Sequence, residues 1–232
     1  MPPLSRETIS GVFFDWDGTL VDSFEFLHGA HNHVCAILGR PQFSLETFSG
    51  YFGQPREKLY TEIYGEHRES AKTHFENYVM ANHTTGIKPV EDARNVLQYL
   101  HEAQIPCGVV TNKKTDLVRA EIRNYGWDKY FASVVGAGEA EKDKPSAAPL
   151  HLAVERAALS ATPQQIWFVG DTDNDLACAA EYGARSVFIA EEEKKDAIAA
   201  DYHIDHYFPH CTSFYDFLLQ SGLNSIKTKD AG

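Results

Sequence analysis

The chain has 232 residues, and 33 acidic residues against 21 basic ones give it a formal net charge of -12. A chain of this length can bury a large core, so it fits either one large domain or a core that carries a smaller insert. The acidic balance disfavours nucleic acid and anionic membranes as its main partners.

Targeting and cysteine patterns indicate a cytoplasmic protein. No stretch approaches the roughly 18 continuous apolar residues that a membrane helix needs, and the first ten residues lack the apolar core of a signal peptide. The four cysteines show neither CxxC nor metal-ligand spacing, so we expect reduced and mostly buried thiols. The oligomeric state stays open between monomer and homodimer.

Five short runs rich in β-branched and aromatic residues predict buried strands, in chain order at 11–14, 107–110, 131–135, 166–169 and 186–189, the third being the weakest. Between them lie segments with helical spacing, such as the apolar positions of 90–100. Alternation of strand and helix predicts an α/β fold with a doubly wound parallel sheet.

Residues 23–86 interrupt that alternation. They contain several helical patterns, broken at Gly39, Pro41 and Gly65, and no convincing strand. We therefore predict an α-helical domain inserted into the α/β core, with a continuous single domain of long helices as the alternative. The core would then comprise residues 1–22 and 87–232.

The first candidate site is the segment Asp15-Trp16-Asp17-Gly18-Thr19-Leu20, directly after the first predicted strand. In doubly wound sheets, ligands bind at the carboxyl ends of the strands. One carboxylate could attack phosphorus while the other donates and later accepts a proton, and Gly18 permits the turn between strand and loop. The alternatives are an ordinary turn or half of a calcium loop, although the terminal glutamate of a calcium loop is absent.

Two weaker signals follow later strands. Thr111 and Asn112 close the run 107–110, where a hydroxyl and backbone N–H groups could hold phosphoryl oxygens, although the same pair often caps a helix. Lys144 precedes Pro145 in a loop, where it could neutralise a carboxylate and a bound phosphate, although a loop lysine is usually solvated. Lys142 competes for that role, and Pro145 favours Lys144.

The fourth candidate is Gly170-Asp171-Thr172-Asp173-Asn174-Asp175, directly after the run 166–169. Crowded aspartates repel one another unless a cation or solvent intervenes, and oxygen-only ligands suit magnesium. Asp173 or Asp175 could instead cap a helix that ends before Gly183.

Taken together and in this order, the four segments resemble the motifs of the haloacid dehalogenase superfamily: DWDGTLVDS, VVTNKK, KP and VGDTDND. The resemblance covers residues 9–22 and the chain from about residue 89 onward. It implies a Rossmann-like core, and residues 23–86 resemble the helical cap of the phosphoglycolate phosphatase and β-phosphoglucomutase branch.

The resemblance implies a magnesium-dependent phosphatase that acts on a small phosphorylated metabolite. Asp15 would be the nucleophile and a metal ligand, and Asp17 would be the acid/base and contribute its backbone carbonyl to the metal. Asp171 would be the third protein ligand, and Asp175 would act on the metal through water or a hydrogen bond to another ligand. Lys144 would orient Asp15.

The substrate contacts are also implied by resemblance. Thr111 and the Asn112 amide would hold the phosphoryl group, with Gly18 placed among the substrate-binding residues. In the predicted cap, the segment 53–59 resembles a substrate-contact loop, so Arg56 and Lys58 are candidates to bind a second anionic group. Exposed charges at the start of a helix would explain both residues equally well.

Departures from the family pattern limit the function. Asp17 argues against dehalogenase activity, because true dehalogenases lack an aspartate there. The third motif lacks the second proline of KPxP, which affects the helix start and not the chemistry of the lysine. A cap histidine of the β-phosphoglucomutase relatives aligns with Leu27, with His28 one position late. A phosphomutase and a non-catalytic phosphate-binding protein remain the alternative functions.

Overall fold

The computed structural model describes residues 9–51 and 56–221. Its contacts divide the chain into a core unit, Met1–Val21 with Pro89–Gly232, and a helical unit, Asp22–Lys88. The strands of the core sheet are β1 (Gly11–Phe14), β4 (Cys107–Val110), β5 (Phe131–Val135), β6 (Ile166–Gly170), β7 (Arg185–Ile189) and β8 (His206–Phe208), and two short strands, β2 (Val21–Asp22) and β3 (Lys88–Pro89), pair where the chain passes between the units.

Ten α-helices are found in the described part of the chain. Those of the helical unit are α1 (Phe24–Ile37), α2 (Leu45–Ser49), α3 (Arg56–Tyr64) and α4 (Arg68–Gly86). Those of the core unit are α5 (Ala93–Glu102), α6 (Thr115–Tyr125), α7 (Ala148–Arg156), α8 (Asp173–Tyr182), α9 (Glu192–Ile198) and α10 (Cys211–Ser221).

The core sheet is parallel throughout, with strand order β5-β4-β1-β6-β7-β8. The chain moves outward from β1 through β4 to β5, then returns to the other side of β1 and continues from β6 to β8. The strand order therefore reverses at β1, and such a reversal creates a crevice at the carboxyl ends of the strands. The α/β doubly wound prediction and its five strands are confirmed.

Helices cover both faces of the sheet because the side chains of each strand alternate between them. On one face, Ile166 and Phe168 pack in a cluster with Leu150 of α7 and Cys178 of α8. On the other, the Trp167 ring stacks 6.4 Å from that of Phe217 in α10. Strands buried on both faces require continuous apolar runs, which is why these strands could be predicted from the sequence.

The strand β8 was not predicted. Its three residues, His206, Tyr207 and Phe208, are each only half-buried, as is usual for a short edge strand. A three-residue segment carries too little periodicity to identify. Parallel pairing with β7 brings it into the sheet.

The helical unit has an aromatic core of its own. The buried His31 ring lies 4.4 Å from the Phe75 ring, and its Nδ1 is 2.8 Å from the Tyr64 hydroxyl. Helix α1 packs on α4, and α3 also packs on α4. His31 is thus part of the packed core of this unit.

All four cysteines, Cys35, Cys107, Cys178 and Cys211, are free and buried, as expected. No helix in the described ranges combines the length and apolarity needed to cross a bilayer.

Candidate active site

The predicted motif residues meet at one edge of the core sheet. Asp15 follows β1, Thr111 follows β4 and Asp171 follows β6, and the register places Phe14 opposite both Val109 and Val169. Because β1 pairs in parallel with both neighbours, the three strand ends lie side by side. This is the crevice created by the reversal of strand order.

Lys144 links two carboxylates of the site. Its Nζ lies 2.7 Å from Asp15 Oδ1 and 2.7 Å from Asp175 Oδ1, and all three side chains are buried. Oxygens of Asp15, Asp175 and Asp171 all lie within 4.8 Å of one another. A buried lysine with two carboxylates neutralises charge that would otherwise be hard to desolvate. Lys142 is exposed, so the structure favours Lys144 over it.

Asn112 fixes the backbone of Lys144. Its side-chain amide donates to the carbonyl of Lys144 (2.9 Å), and its side-chain oxygen accepts from the Lys144 N–H (3.0 Å). The Asn112 side chain is therefore committed to the loop, and its backbone amide is the group that remains suited to a phosphoryl oxygen. Helix α7 begins only at Ala148, with Pro149 in its first turn, so Pro145 lies in the preceding loop.

Thr111 is buried and oriented by its own turn. Its hydroxyl oxygen accepts a hydrogen bond from the Lys113 N–H at 3.2 Å. Because that oxygen acts as acceptor, the hydroxyl hydrogen stays available to donate to a ligand oxygen.

Asp175 forms hydrogen bonds within its own loop as well as with Lys144. Its Oδ2 accepts from the Thr172 hydroxyl at 2.7 Å and from the N–H groups of Asp171 and Thr172, forming the capping box at the start of α8. The helix ends before Gly183, as predicted. Both Asp175 oxygens are thus engaged, which fits the indirect role that the family resemblance implies for it.

Gly18 allows the first motif to approach Asp171. Its φ is +87°, and a Cβ built on it would lie 2.7 Å from both oxygens of the Asp171 carboxylate. No other residue fits this close approach and this backbone conformation together. The N–H of Gly18 is donated to the Val21 carbonyl, so the observed role of Gly18 is the turn, and its substrate contact stays a prediction.

Two further groups contact Asp171. The Thr19 hydroxyl donates to Oδ1 at 3.2 Å, and Lys194 of α9 donates to Oδ2 at 2.9 Å. The Lys194 side chain is 40% exposed, whereas that of Asp171 is 7% exposed. The sequence reasoning did not identify Lys194, because it comes from a charged surface helix that carries no motif.

Asp17 lies in an ion-pair network that was also missed. Its Oδ1 is 3.0 Å from Nζ of Lys113, and the same ammonium is 2.8 Å from Oε1 of Glu121 in α6. Glu121 also accepts from the indole N–H of Trp16, between the two motif aspartates. A signal existed: Glu121 shares the buried face of α6 with Leu117, Val118 and Ile122, and a glutamate on such a face needs a partner.

The charges of these linked groups leave room for a divalent cation. The ion pairs join five carboxylates to three ammonium groups, which leaves two negative charges in excess. The carboxylates are those of Asp15, Asp17, Glu121, Asp171 and Asp175, and the ammonium groups are those of Lys113, Lys144 and Lys194. Oxygen-only ligands suit a hard cation such as Mg²⁺. The residues present therefore fit a divalent metal.

Protonation equilibria support the same conclusion. Burial raises the pKa of Asp15 to about 7; the Lys144 ammonium opposes this, and the charges of Asp175 and Asp171 reinforce it. Burial also raises the pKa of Asp171, against the opposing effect of Lys194. Burial by itself would lower the pKa of Lys144, but the two carboxylates beside it raise that pKa above its ordinary value. The buried carboxylates are thus difficult to keep ionised together without a further cation.

The residues proposed for a cap contact are only partly described. The side chains of Arg56 and Lys58 and the backbone of residues 52–55 lie outside the described residues, so their substrate role stays a prediction. His28 is held within the helical unit, where its Nε2 lies 2.7 Å from the Phe43 carbonyl oxygen.

Comparisons with known proteins identify the family. The model of the haloacid dehalogenase-like hydrolase family matches residues 12–189. A phosphoglycolate phosphatase of Photorhabdus laumondii is 28% identical over 238 residues, which cover 96% of this chain and 97% of the relative. A pyrophosphatase PpaX of Anoxybacillus flavithermus is 25% identical over 197 residues, which cover 85% and 91%.

A solved structure shares the fold. The haloacid dehalogenase-like family protein SP0104 of Streptococcus pneumoniae is 24% identical, with a TM-score of 0.79 over 90% of this chain and 98% of that one. The chain belongs to the haloacid dehalogenase-like hydrolase family. It is accordingly a hydrolase with an α/β Rossmann-like core.

Proposed function

We propose that this hydrolase is a magnesium-dependent phosphatase that cleaves a small phosphorylated metabolite through an aspartyl-phosphate on Asp15. The observation that carries the proposal is the cluster of Asp15, Asp171 and Asp175 within 4.8 Å at the sheet edge, with Lys144 bonded to two of them. Family membership and the phosphatase names of the relatives support phosphoric monoester hydrolysis.

In the first half of the proposed reaction, a carboxylate oxygen of Asp15 attacks phosphorus and the bond from phosphorus to the leaving oxygen breaks. Asp17 donates a proton to that oxygen. Lys144 keeps the attacking carboxylate oriented through its 2.7 Å contact, and the Thr111 hydroxyl with the Asn112 backbone N–H binds phosphoryl oxygens.

In the second half, Asp17 takes a proton from water as the water attacks the acyl-phosphate, which releases inorganic phosphate and restores Asp15. The metal would be held by the carboxylates of Asp15 and Asp171 and the backbone carbonyl of Asp17, with Asp175 acting indirectly. When bound, it supplies positive charge against the phosphoryl oxygens.

We further propose that residues 23–86 act as a cap domain that selects the substrate, with Arg56 as a contact to a second anionic group. A small anionic metabolite in the cytoplasm fits the acidic net charge, which disfavours polyanions as partners, and the buried free thiols. The relatives carry two different substrate names, phosphoglycolate and pyrophosphate, so both belong at the head of any substrate panel.

A phosphate-release screen over phosphorylated metabolites tests the proposal. We expect magnesium-dependent phosphate release from at least one small monoester, with phosphoglycolate tried first. An isomeric product without stoichiometric phosphate would instead indicate a phosphomutase. Tight phosphate binding without turnover on any substrate would indicate a sensor, and either outcome would overturn the phosphatase assignment.

A further inference from the structure

Lys113 is a buried lysine for which the proposed reaction has no role. It is 5% exposed, and its ammonium group lies between two carboxylates, 3.0 Å from Asp17 and 2.8 Å from Glu121. Its backbone also belongs to the site, because its N–H donates to the Thr111 hydroxyl. A buried ammonium group is costly to desolvate, so two partners at these distances fix where it sits.

Glu121 anchors that ammonium group from the protein interior. It is 0% exposed and lies on the buried face of α6, so its carboxylate has no access to solvent. The indole N–H of Trp16 holds it in addition, and the Trp16 ring packs at 6.0 Å against Trp127. The anchor is therefore rigid, because each group in it is held by packing as well as by hydrogen bonds.

Asp17 differs from its anchor in exposure. Its side chain is 21% exposed, against 9% for Asp15. A short carboxylate at such a position can adopt other rotamers toward solvent unless a contact selects one. The contact that selects one is the ion pair with Lys113.

We propose that Lys113, anchored by Glu121, is a positioning residue that holds the Asp17 carboxyl group at the position from which it protonates the leaving group. This inference rests on the proposed phosphatase function and adds to it a second lysine. Lys144 orients the nucleophile and Lys113 orients the acid/base. Because Glu121 stays paired with Lys113, the ammonium group keeps a partner whenever Asp17 gives up the contact.

The competing explanation is that the Lys113–Glu121 pair only joins the loop after β4 to α6. Leaving groups separate the two roles. Alkyl phosphates need a proton on the departing oxygen, whereas 4-nitrophenyl phosphate leaves as a stable anion and depends little on the acid. A misplaced acid therefore lowers the rate for the alkyl ester more than for the aryl ester, and general structural damage lowers both alike.

The test variant is the double substitution Lys113→Met with Glu121→Gln. Removing the lysine alone would leave the buried Glu121 carboxylate without its ammonium partner, and the second change removes that charge while keeping an oxygen for Trp16. The readout is kcat/KM, which for a phosphoenzyme pathway reports only the steps up to release of the leaving group. Lys142→Met, an exposed lysine of the same core unit, is the matched control.

We expect the ratio of alkyl to aryl kcat/KM to fall by about ten- to a hundredfold, a part of the 10²–10⁴-fold that a positioned acid typically contributes. The control should leave that ratio unchanged. In an Asp17→Asn background, the same double substitution should not change the ratio further, because the acid it positions is already absent.

An equal loss on both substrates, or a further fall of the ratio in the Asp17→Asn background, would overturn the proposal. If the double variant does not fold, the single substitution Glu121→Gln tests the proposal. We expect it to lower the ratio of alkyl to aryl kcat/KM severalfold, and an unchanged ratio would contradict the positioning role. If the wild-type protein forms a phosphoenzyme but the variants keep the wild-type ratio of alkyl to aryl kcat/KM, only this inference is refuted. A wild-type protein that releases phosphate from no ester of the substrate panel refutes the phosphatase function, and the positioning role with it.

Discussion

Replacing Lys144 by methionine should destabilise the core unit strongly. The Nζ of Lys144 lies 2.7 Å from oxygens of both Asp15 and Asp175, and all three side chains are less than a tenth exposed. Removing the ammonium group leaves two buried carboxylates without their shared partner, and breaking a buried pair costs about 3–5 kcal/mol. In a protein of 150–250 residues, each kcal/mol shifts the thermal midpoint by about 2–4 °C, so we expect a fall of about 6–20 °C.

Tryptophan fluorescence follows this unfolding well, because Trp16, Trp127 and Trp167 are all buried and all lie in the core unit. Melting should be recorded with a chelator and again with millimolar magnesium. We expect magnesium to restore part of the lost stability, since a bound cation replaces the missing charge.

Two variants control this experiment. Lys142→Met removes an exposed lysine two residues away and should leave the midpoint almost unchanged. Asp175→Asn, added to Lys144→Met, removes one of the two stranded charges and should recover roughly 0.5–3 kcal/mol as a coupling energy. If Lys144→Met has the same thermal midpoint as Lys142→Met, the ion pairs of Lys144 do not stabilise the site and the electrostatic account is wrong.

Other predictions concern the metal and the cap. Exhaustive chelation should abolish phosphate release, and full activity in chelator would refute the metal assignment. Calcium should inhibit phosphate release, because the looser coordination of calcium disturbs in-line attack. Lys194→Met should tighten magnesium binding, measured by calorimetry, by up to about fivefold. The reason is that the Lys194 ion pair occupies an Asp171 oxygen and that a partly exposed ion pair is worth roughly 0.2–1 kcal/mol. Weaker magnesium binding by this variant would show that Lys194 supports the site. Arg56→Ala should raise KM for the best substrate more than it lowers turnover of an aryl phosphate, and equal losses would indicate a structural role.

The sheet could be predicted from the sequence because its central strands are buried on both faces. The runs that became β1, β4 and β6 are continuous and buried at every position, so no knowledge of the partner strand was needed, whereas the run of β5 was weaker because its first two residues are not buried. The edge strand β8 was missed because its pairing with β7, and not its composition, makes it a strand. Pairing of that kind depends on the tertiary fold, which local periodicity does not encode.

The motif aspartates and Lys144 were likewise predictable, whereas the roles of Lys113 and Lys194 were not. Lys144 carries a motif context, with a proline after it and a loop position beyond a strand. Lys113 and Lys194 are ordinary lysines in sequence, and only the fold brings Lys113 to Asp17, 96 positions away. Glu121 carried a local signal that was not used, an acid on the apolar face of a helix.

The central claim is that Asp15 is the nucleophile and Asp17 the acid/base, and intact-mass measurement after rapid acid quench tests it most directly. Asp15→Asn and Asp17→Asn are each mixed with an aryl phosphate and magnesium and then quenched. Asp17→Asn should carry one added phosphoryl group, because it can still be phosphorylated but hydrolyses the intermediate slowly, while Asp15→Asn should carry none. A phosphoryl group on Asp15→Asn, or near-normal turnover by that variant, would contradict the account.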